Sequence, residues 1–374
     1  MKLVYILNQR FPTEKAYGIQ VIQMCAAFSK SGLETELLVP TRIGRELSDP
    51  FVYYGIEPSF KFTMVSSLDW YWPSGLNRVA FWIKNLTSAF RLARIARSRP
   101  ADIIYAREEL PLLFLVFGRR GKLALEVHRY SSGRAFMYHF LSRRGVRFVA
   151  VTEGLRQDLI GTGIPATSIF TAHDGVEIEK FEINIEQAEA RRQLNLPGDK
   201  KIILYSGHLY ERKGADTLAE STQFLPADIL NVFVGGTDRE LELFKKQWGD
   251  EPKIMITGRK PHRQIPLWLR AADVLVLPSL PDESGQEKYT SPLKLFEYMA
   301  SGRPIIASDL PAVREVLSDD NADFYPPGDV VALANEIKAV LSDLPRAEEK
   351  ALHAKHKVKT YSWKNRADNI ISFL

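Results

Sequence analysis

Short apolar, β-branched runs recur along the chain, separated by longer stretches in which apolar residues return every three or four positions. The first kind reads as buried strand and the second as helix, because strand side chains alternate with period two and helix faces repeat at 3.6. In the first half, strands are predicted over residues 3–7, 34–39, 102–105, 123–127 and 147–151. In the second half they are predicted over 201–205, 231–234, 253–256, 274–277 and 304–307. Strands that are apolar throughout and spaced by helices mark parallel sheets covered on both faces. Two such sheets of similar size follow, in a chain of 374 residues that exceeds the usual length of one domain. Residues 186–194 read as helix and run into the turn cluster Asn195-Leu196-Pro197-Gly198-Asp199, which sets the junction near residues 180–200. The fold class is α/β. Ligands of open α/β sheets lie beyond the carboxyl ends of the strands, so two such domains facing a central cleft would hold the chemistry there.

Composition narrows the setting more than the activity. Hydrophobic residues at 45% and charged residues at 25% are ordinary for a globular protein. Cys25, the single cysteine, rules out an internal disulfide and a cysteine-built metal site, so a reducing, cytoplasmic setting is expected. The opening apolar run ends too soon, at Gln9 and Arg10, to be a secretory signal. No apolar stretch reaches the roughly 20 residues that span a bilayer. A net charge of +5 admits an acidic partner, but no helix-turn-helix, zinc-finger or RRM pattern is present, and nucleic acid is not expected. Residues 70–99 combine Trp70, Trp72, Phe81, Trp82 and Phe90 with Arg78, Lys84, Arg91, Arg94, Arg97 and Arg99. Two readings stand side by side. One is peripheral contact with the inner face of a membrane that carries a lipid-linked or polysaccharide acceptor; the other is a helix with an aromatic core face and a solvated basic face.

The candidate chemistry gathers at strand ends. Ser291-Pro292 has the form of a helix start, with Ser291 as N-cap, Pro292 and Leu293 opening the helix, and Gly302 closing it. Backbone N–H groups at such a start favour an anion. Lys294 in the first turn opposes the helix dipole, which a negatively charged ligand would explain, and Glu297 one turn later can accept two hydrogen bonds from a ribose diol. Alternatively, Lys294 and Glu297 form a surface ion pair. Gly207-His208-Leu209-Tyr210-Glu211-Arg212-Lys213-Gly214 follows a predicted strand, and Arg212 and Lys213 can meet a diphosphate as charge-assisted donors. Gly235-Gly236-Thr237 and Gly258-Arg259-Lys260 end two further strands. No aspartate pair with metal-ligand spacing is present, so no metal and no cofactor is expected.

Three runs carry a resemblance: Gly207-His208 with Glu211-Arg212-Lys213-Gly214, the segment 272–279, and Ser291-Pro292-Leu293-Lys294-Leu295-Phe296-Glu297-Tyr298-Met299-Ala300-Ser301-Gly302-Arg303-Pro304-Ile305-Ile306-Ala307-Ser308. Together with His173-Asp174-Gly175-Val176-Glu177 and Tyr361-Ser362-Trp363, they resemble the retaining glycosyltransferases of the large family 4 group, also called glycosyl transferases group 1. The resemblance implies the GT-B architecture. Residues 1–185 would be a Rossmann-like acceptor domain, 186–355 a Rossmann-like nucleotide-sugar donor domain, and 356–374 a helix packing back on the first.

It also implies transfer of a sugar from a nucleoside diphosphate to a hydroxyl, with retention and without metal, in glycan, polysaccharide or glycolipid synthesis. Lys213 would neutralise the departing diphosphate, Glu297 would hold the ribose and Arg259 would lie beside the base. Gly18 would let the backbone approach the donor phosphate, and His128 would contact the transferred sugar. His208, Arg212, Gly236, Ser291, Leu293 and Lys294 complete the implied donor site. Two positions depart from the family: Tyr289 stands where its first glutamate is expected, with Glu287 or Glu283 as substitutes from the same loop, and His208 stands where many relatives have arginine. These departures keep open a catalytically silent sugar-nucleotide binding protein, and the shared architecture keeps open a GT-B epimerase or phosphorylase.

Overall fold

The computed structural model describes residues 1–41, 49–67, 77–118, 121–281, 289 and 291–374, with the backbone only at 77 and 78. Over these residues the chain forms two compact units, Met1–Asp174 joined by Trp363–Leu374, and Gly175–Ser362. The chain therefore leaves the first unit ahead of the turn cluster at 195–199, which instead closes the helix Gln187–Gln193 inside the second unit. Near the points of departure and return, the Val176 N–H donates to the Tyr361 carbonyl at 3.0 Å and Val176 pairs in parallel with Ser362.

The first unit is built on seven strands: β1 (Lys2–Ile6), β2 (Glu34–Pro40), β3 (Lys61–Val65), β4 (Ile103–Ala106), β5 (Lys122–Val127), β6 (Arg147–Ala150) and β7 (Ile169–Thr171). They lie in the order β3-β2-β1-β4-β5-β6-β7, all parallel. The order reverses between β1 and β4, where Leu3 is in register with Ile103. In doubly wound sheets that reversal opens a crevice at the carboxyl ends of the two strands. The last helix, Trp363–Phe373, belongs to this unit and packs on the helix Ala16–Lys30.

The second unit has six strands: β8 (Lys201–Gly207), β9 (Ile229–Gly235), β10 (Ile254–Gly258), β11 (Val274–Leu277), β12 (Ile305–Ser308) and β13 (Asp323–Tyr325). Their order is β10-β9-β8-β11-β12-β13, again all parallel, and it reverses between β8 and β11. Alternation along the strands divides the core in two. Ile202, Leu204, Val232, Leu275 and Leu277 enter one apolar layer, while Ile203, Tyr205, Phe233, Val274 and Val276 enter the other.

All ten predicted strands are present, and the three without a sequence signal, β3, β7 and β13, are outer strands. An outer strand is covered less completely and read less easily: β3 is Lys-Phe-Thr-Met-Val, with only Val65 buried. Among the described residues, no helix is long and apolar enough to cross a membrane.

Candidate functional site

The reversal point of the second sheet is where the predicted diphosphate residues meet. β8 ends at Gly207, whose φ of +139° and lack of a side chain leave room for Lys294: a Cβ there would lie 2.6 Å from the Lys294 Nζ. Lys294 reaches this point from the first turn of the helix Leu293–Ser301. Its Nζ lies 3.9 Å from the centroid of the Tyr205 ring and is buried with no hydrogen-bond partner among the described residues. Burial and the ammonium of Lys213 hold Lys294 well below the usual lysine range, against the opposing Glu297 carboxylate. The surface ion pair of Lys294 with Glu297 is thus not what forms.

Lys213 and Arg212 lie on the single turn Glu211–Lys213, Arg212 exposed and Lys213 half-buried, with the Lys213 Nζ 5.7 Å from the Tyr210 ring centroid. Gly214, at φ +69°, ends that turn so close to the Pro278 carbonyl that a Cβ would lie 1.6 Å from its oxygen. The Leu280 N–H donates to the Arg212 carbonyl at 3.2 Å. The turn is thereby held against the end of β11.

One helical turn beyond Lys294, Glu297 accepts a 2.7 Å hydrogen bond at Oε1 from Nε2 of His262. Burial alone would lower the His262 pKa, but the Glu297 carboxylate raises it above its ordinary value. His262 follows Arg259 in the segment after β10, where Arg259 is exposed. No sequence pattern singles out His262; its only signal is a place in the segment after the strand end Gly258-Arg259-Lys260.

Two expectations are revised. Pro292, not Ser291, occupies the N-cap of this helix, and it supplies no side-chain cap. Proline at the N-cap has no side-chain acceptor for the first-turn N–H groups, of which that of Leu295 donates to the Pro292 carbonyl at 2.9 Å. His208 turns to Glu240, with Nδ1 3.2 Å from each carboxylate oxygen. Glu240 also accepts from the Leu209 and Thr237 N–H groups, and these donors together with His208 lower its pKa despite partial burial. The Gly236 N–H donates to the Gly207 carbonyl at 2.9 Å, tying the ends of β8 and β9. Tyr289 is buried. Glu283 and Glu287 lie outside the described residues.

In the first unit, Gly18 lies in the first turn of the helix Ala16–Lys30, where a Cβ would meet the Tyr54 hydroxyl at 2.1 Å. That hydroxyl accepts from the Thr13 N–H and donates to the Thr13 carbonyl, each at 2.8 Å, so the absent side chain at Gly18 makes room for Tyr54. His128 follows β5 directly, and its Nε2 is 2.6 Å from Oε1 of the buried Glu126. Burial and Arg107 lower its pKa to about 4, against the opposing pull of Glu126.

The aromatic and basic segment forms the helix Asn77–Ser98. Its buried face is made of small and aliphatic residues, including Ala89, Leu92, Ala93 and Ala96. Val79, Phe81, Trp82, Ile83, Leu86 and Phe90 are exposed. The aromatic residues here are not core, and Trp70 and Trp72 lie outside the described residues.

Residues 200–343 match the family model described as Glycosyl transferases group 1. A D-inositol 3-phosphate glycosyltransferase from Xylanimonas cellulosilytica is 28% identical over 228 residues, which cover 58% of this chain and 53% of that protein. A putative colanic acid biosynthesis glycosyltransferase, WcaL of Salmonella typhimurium, is 26% identical over 276 residues, covering 70% of this chain and 63% of it. The chain spans about half the length of the curated relatives it matches first. Among solved structures, Anabaena HepE in complex with UDP superposes with a TM-score of 0.76 at 15% identity, covering 100% of this chain and 99% of that one. The two parallel-sheet units are those of the GT-B fold.

Proposed function

We propose that this chain, which carries a group 1 glycosyl transferase domain in its second unit, moves a sugar from a nucleoside diphosphate to a hydroxyl acceptor, in the synthesis of a polysaccharide or glycolipid. Lys294 carries the reading. A buried lysine nitrogen with no hydrogen-bond acceptor among the described residues is a cost to the protein, and the oxygens of a diphosphate can supply that acceptor and favour its protonated form. Lys213 beside it, Arg212 on the same turn and the uncapped helix start at Leu293 add positive potential at one spot. Glu297, held at Oε1 by His262, offers Oε2 to a ribose diol, and Arg259 flanks the base. HepE supports testing uridine nucleotides first.

As the bond from the anomeric carbon to phosphate breaks, charge grows on the departing diphosphate, and Lys213 and Lys294 stabilise it without metal. The acceptor oxygen bonds to the same face of the sugar and passes its proton to the leaving phosphate, which preserves the anomeric configuration. His128 meets the transferred sugar. On the acceptor side, Val79, Trp82, Ile83, Leu86 and Phe90 line one exposed stripe of a helix that contains no Asp or Glu, which suits an anionic lipid surface.

Incubating the chain with UDP-, GDP- and ADP-sugars and an acceptor, with the product's anomeric centre read by NMR, tests the proposal. Transfer with retention, lost in Lys213→Ala and Glu297→Ala, is the expected result; an inverted product overturns retention. The buried Tyr289 and the engagement of His208 with Glu240 favour a second reading, a silent binding protein. Nucleotide binding without turnover on any acceptor would establish that reading instead.

A further inference from the structure

The strand β5 carries a charged residue, Glu126, between apolar neighbours, and its side chain is completely buried. The partners of this carboxylate among the described residues are donors. Gln20 donates from Nε2 to Oε1 at 2.5 Å, and the hydroxyl of Tyr105, on β4, donates to Oε2. Arg366, on the last helix, approaches both oxygens, at 3.4 Å from NH1 to Oε2 and 3.3 Å from NH2 to Oε1. Arg107, just past β4, lies 3.9 Å from Oε1 and donates to the Gln20 side-chain oxygen, which fixes the Gln20 amide with its NH2 group toward Glu126. Burial would raise the Glu126 pKa, but Arg366, His128 and Arg107 hold it well below the carboxylate range. A carboxylate so surrounded is acceptor-only.

We propose that Glu126 is a positioning residue that fixes His128 as the neutral Nε2–H tautomer, leaving Nδ1 as an acceptor for a hydroxyl or amide N–H of the sugar. Oε1, already receiving Gln20, can take Nε2 of His128 at 2.6 Å only if that nitrogen carries the proton. The guanidinium groups of Arg107 and Arg366 and the burial of the ring keep a second proton off it. Arg366 is in turn anchored, donating from Nε to the His173 carbonyl at 2.8 Å and from NH2 to the Ala172 carbonyl at 3.2 Å. Asp174 lies 4.0 Å from it, and Tyr5 and Cys25 are the other buried titratable side chains in the surroundings of Glu126. The last helix thus supplies the counter-charge for the carboxylate that orients His128. The use of Nδ1 rests on the reading of His128 as a sugar contact; the tautomer does not.

The test is long-range proton–nitrogen NMR on the full chain labelled with 15N-histidine, with His128 assigned from the signal missing in His128→Gln. The expected wild-type spectrum shows a protonated Nε2 and a bare Nδ1, unchanged between about pH 5.5 and pH 8, where an ordinary histidine titrates. Arg366→Met should raise the proton affinity of His128 by about tenfold, one unit of pKa. Glu126→Gln should produce a mixture of tautomers and, if the chain turns over a sugar nucleotide, should lower kcat while leaving nucleotide affinity unchanged. A proton on Nδ1, ordinary titration in the wild type, or unmoved His128 signals in both variants would overturn the proposal. Should Glu126→Gln fail to fold, the wild-type spectrum and Arg366→Met still decide it. A correct tautomer with no transfer on any acceptor would count against the proposed activity alone.

Discussion

Lys294 makes opposite demands on the empty and the occupied protein. Its buried nitrogen, without a hydrogen-bond partner among the described residues, costs stability when no anion is present and supplies binding when one is. Lys294→Met keeps the chain length and removes the charge, so it is expected to raise the stability of the ligand-free protein by about 1 kcal/mol. The same substitution should weaken nucleoside diphosphate binding by about tenfold or more, a loss near 1.4 kcal/mol. Thermal melting and calorimetric titration of the two proteins read both signs. His262 offers a pH test. Its pKa is raised in the folded state, so its pairing with Glu297 contributes stability that is fully present below the unfolded value, about pH 6.5, and fades as pH rises through the folded value. His262 is about one-third exposed, so the contribution should stay below roughly 1 kcal/mol. Melting of His262→Gln should fall below the wild type near pH 6, with the gap closing near pH 9.

At the scale of elements, the turn Glu211–Lys213 depends on Gly214. The left-handed conformation there costs a residue with a side chain about 1–3 kcal/mol, and the approach to the Pro278 carbonyl adds a clash. Gly214→Ala should therefore lower the denaturation midpoint and weaken nucleotide binding, because Lys213 immediately precedes it.

The central strands and the helix Leu293–Ser301 were legible because each is a compact apolar pattern with its own boundary signal: Pro292 before the helix and Gly302, at φ +66°, after it. Three of the four outer strands, β3, β7 and β13, were not, because exposure of one edge relaxes the apolar requirement; the fourth, β10, was. Lys213, Lys294 and Glu297 could be read from their places at strand and helix ends. The side chains beside Lys294 and Glu297 could not, because Tyr205 and His262 reach them only through the fold of the second unit, and in the first unit Arg107 and Arg366 reach Glu126 only through the fold of that unit. Glu126 did carry a signal, a carboxylate within an apolar strand, which marks a buried charge that must find partners.

For the molecule as a whole, the exposed apolar stripe on the helix Asn77–Ser98 is poorly suited to open water. Co-sedimentation with vesicles containing anionic lipid should capture the chain at low salt and release it at high salt, and Trp82→Glu with Leu86→Glu should abolish capture. Binding independent of lipid charge, or none, would contradict a membrane-facing role for this helix. The donor side meets its most direct test in thermal melting of the full chain with UDP, GDP and ADP, since a ligand held by the folded state raises apparent stability. One nucleoside diphosphate is expected to raise the melting temperature, with the shift lost in Lys213→Ala and Glu297→Ala; no shift with any of the three would contradict a diphosphate site in the second unit.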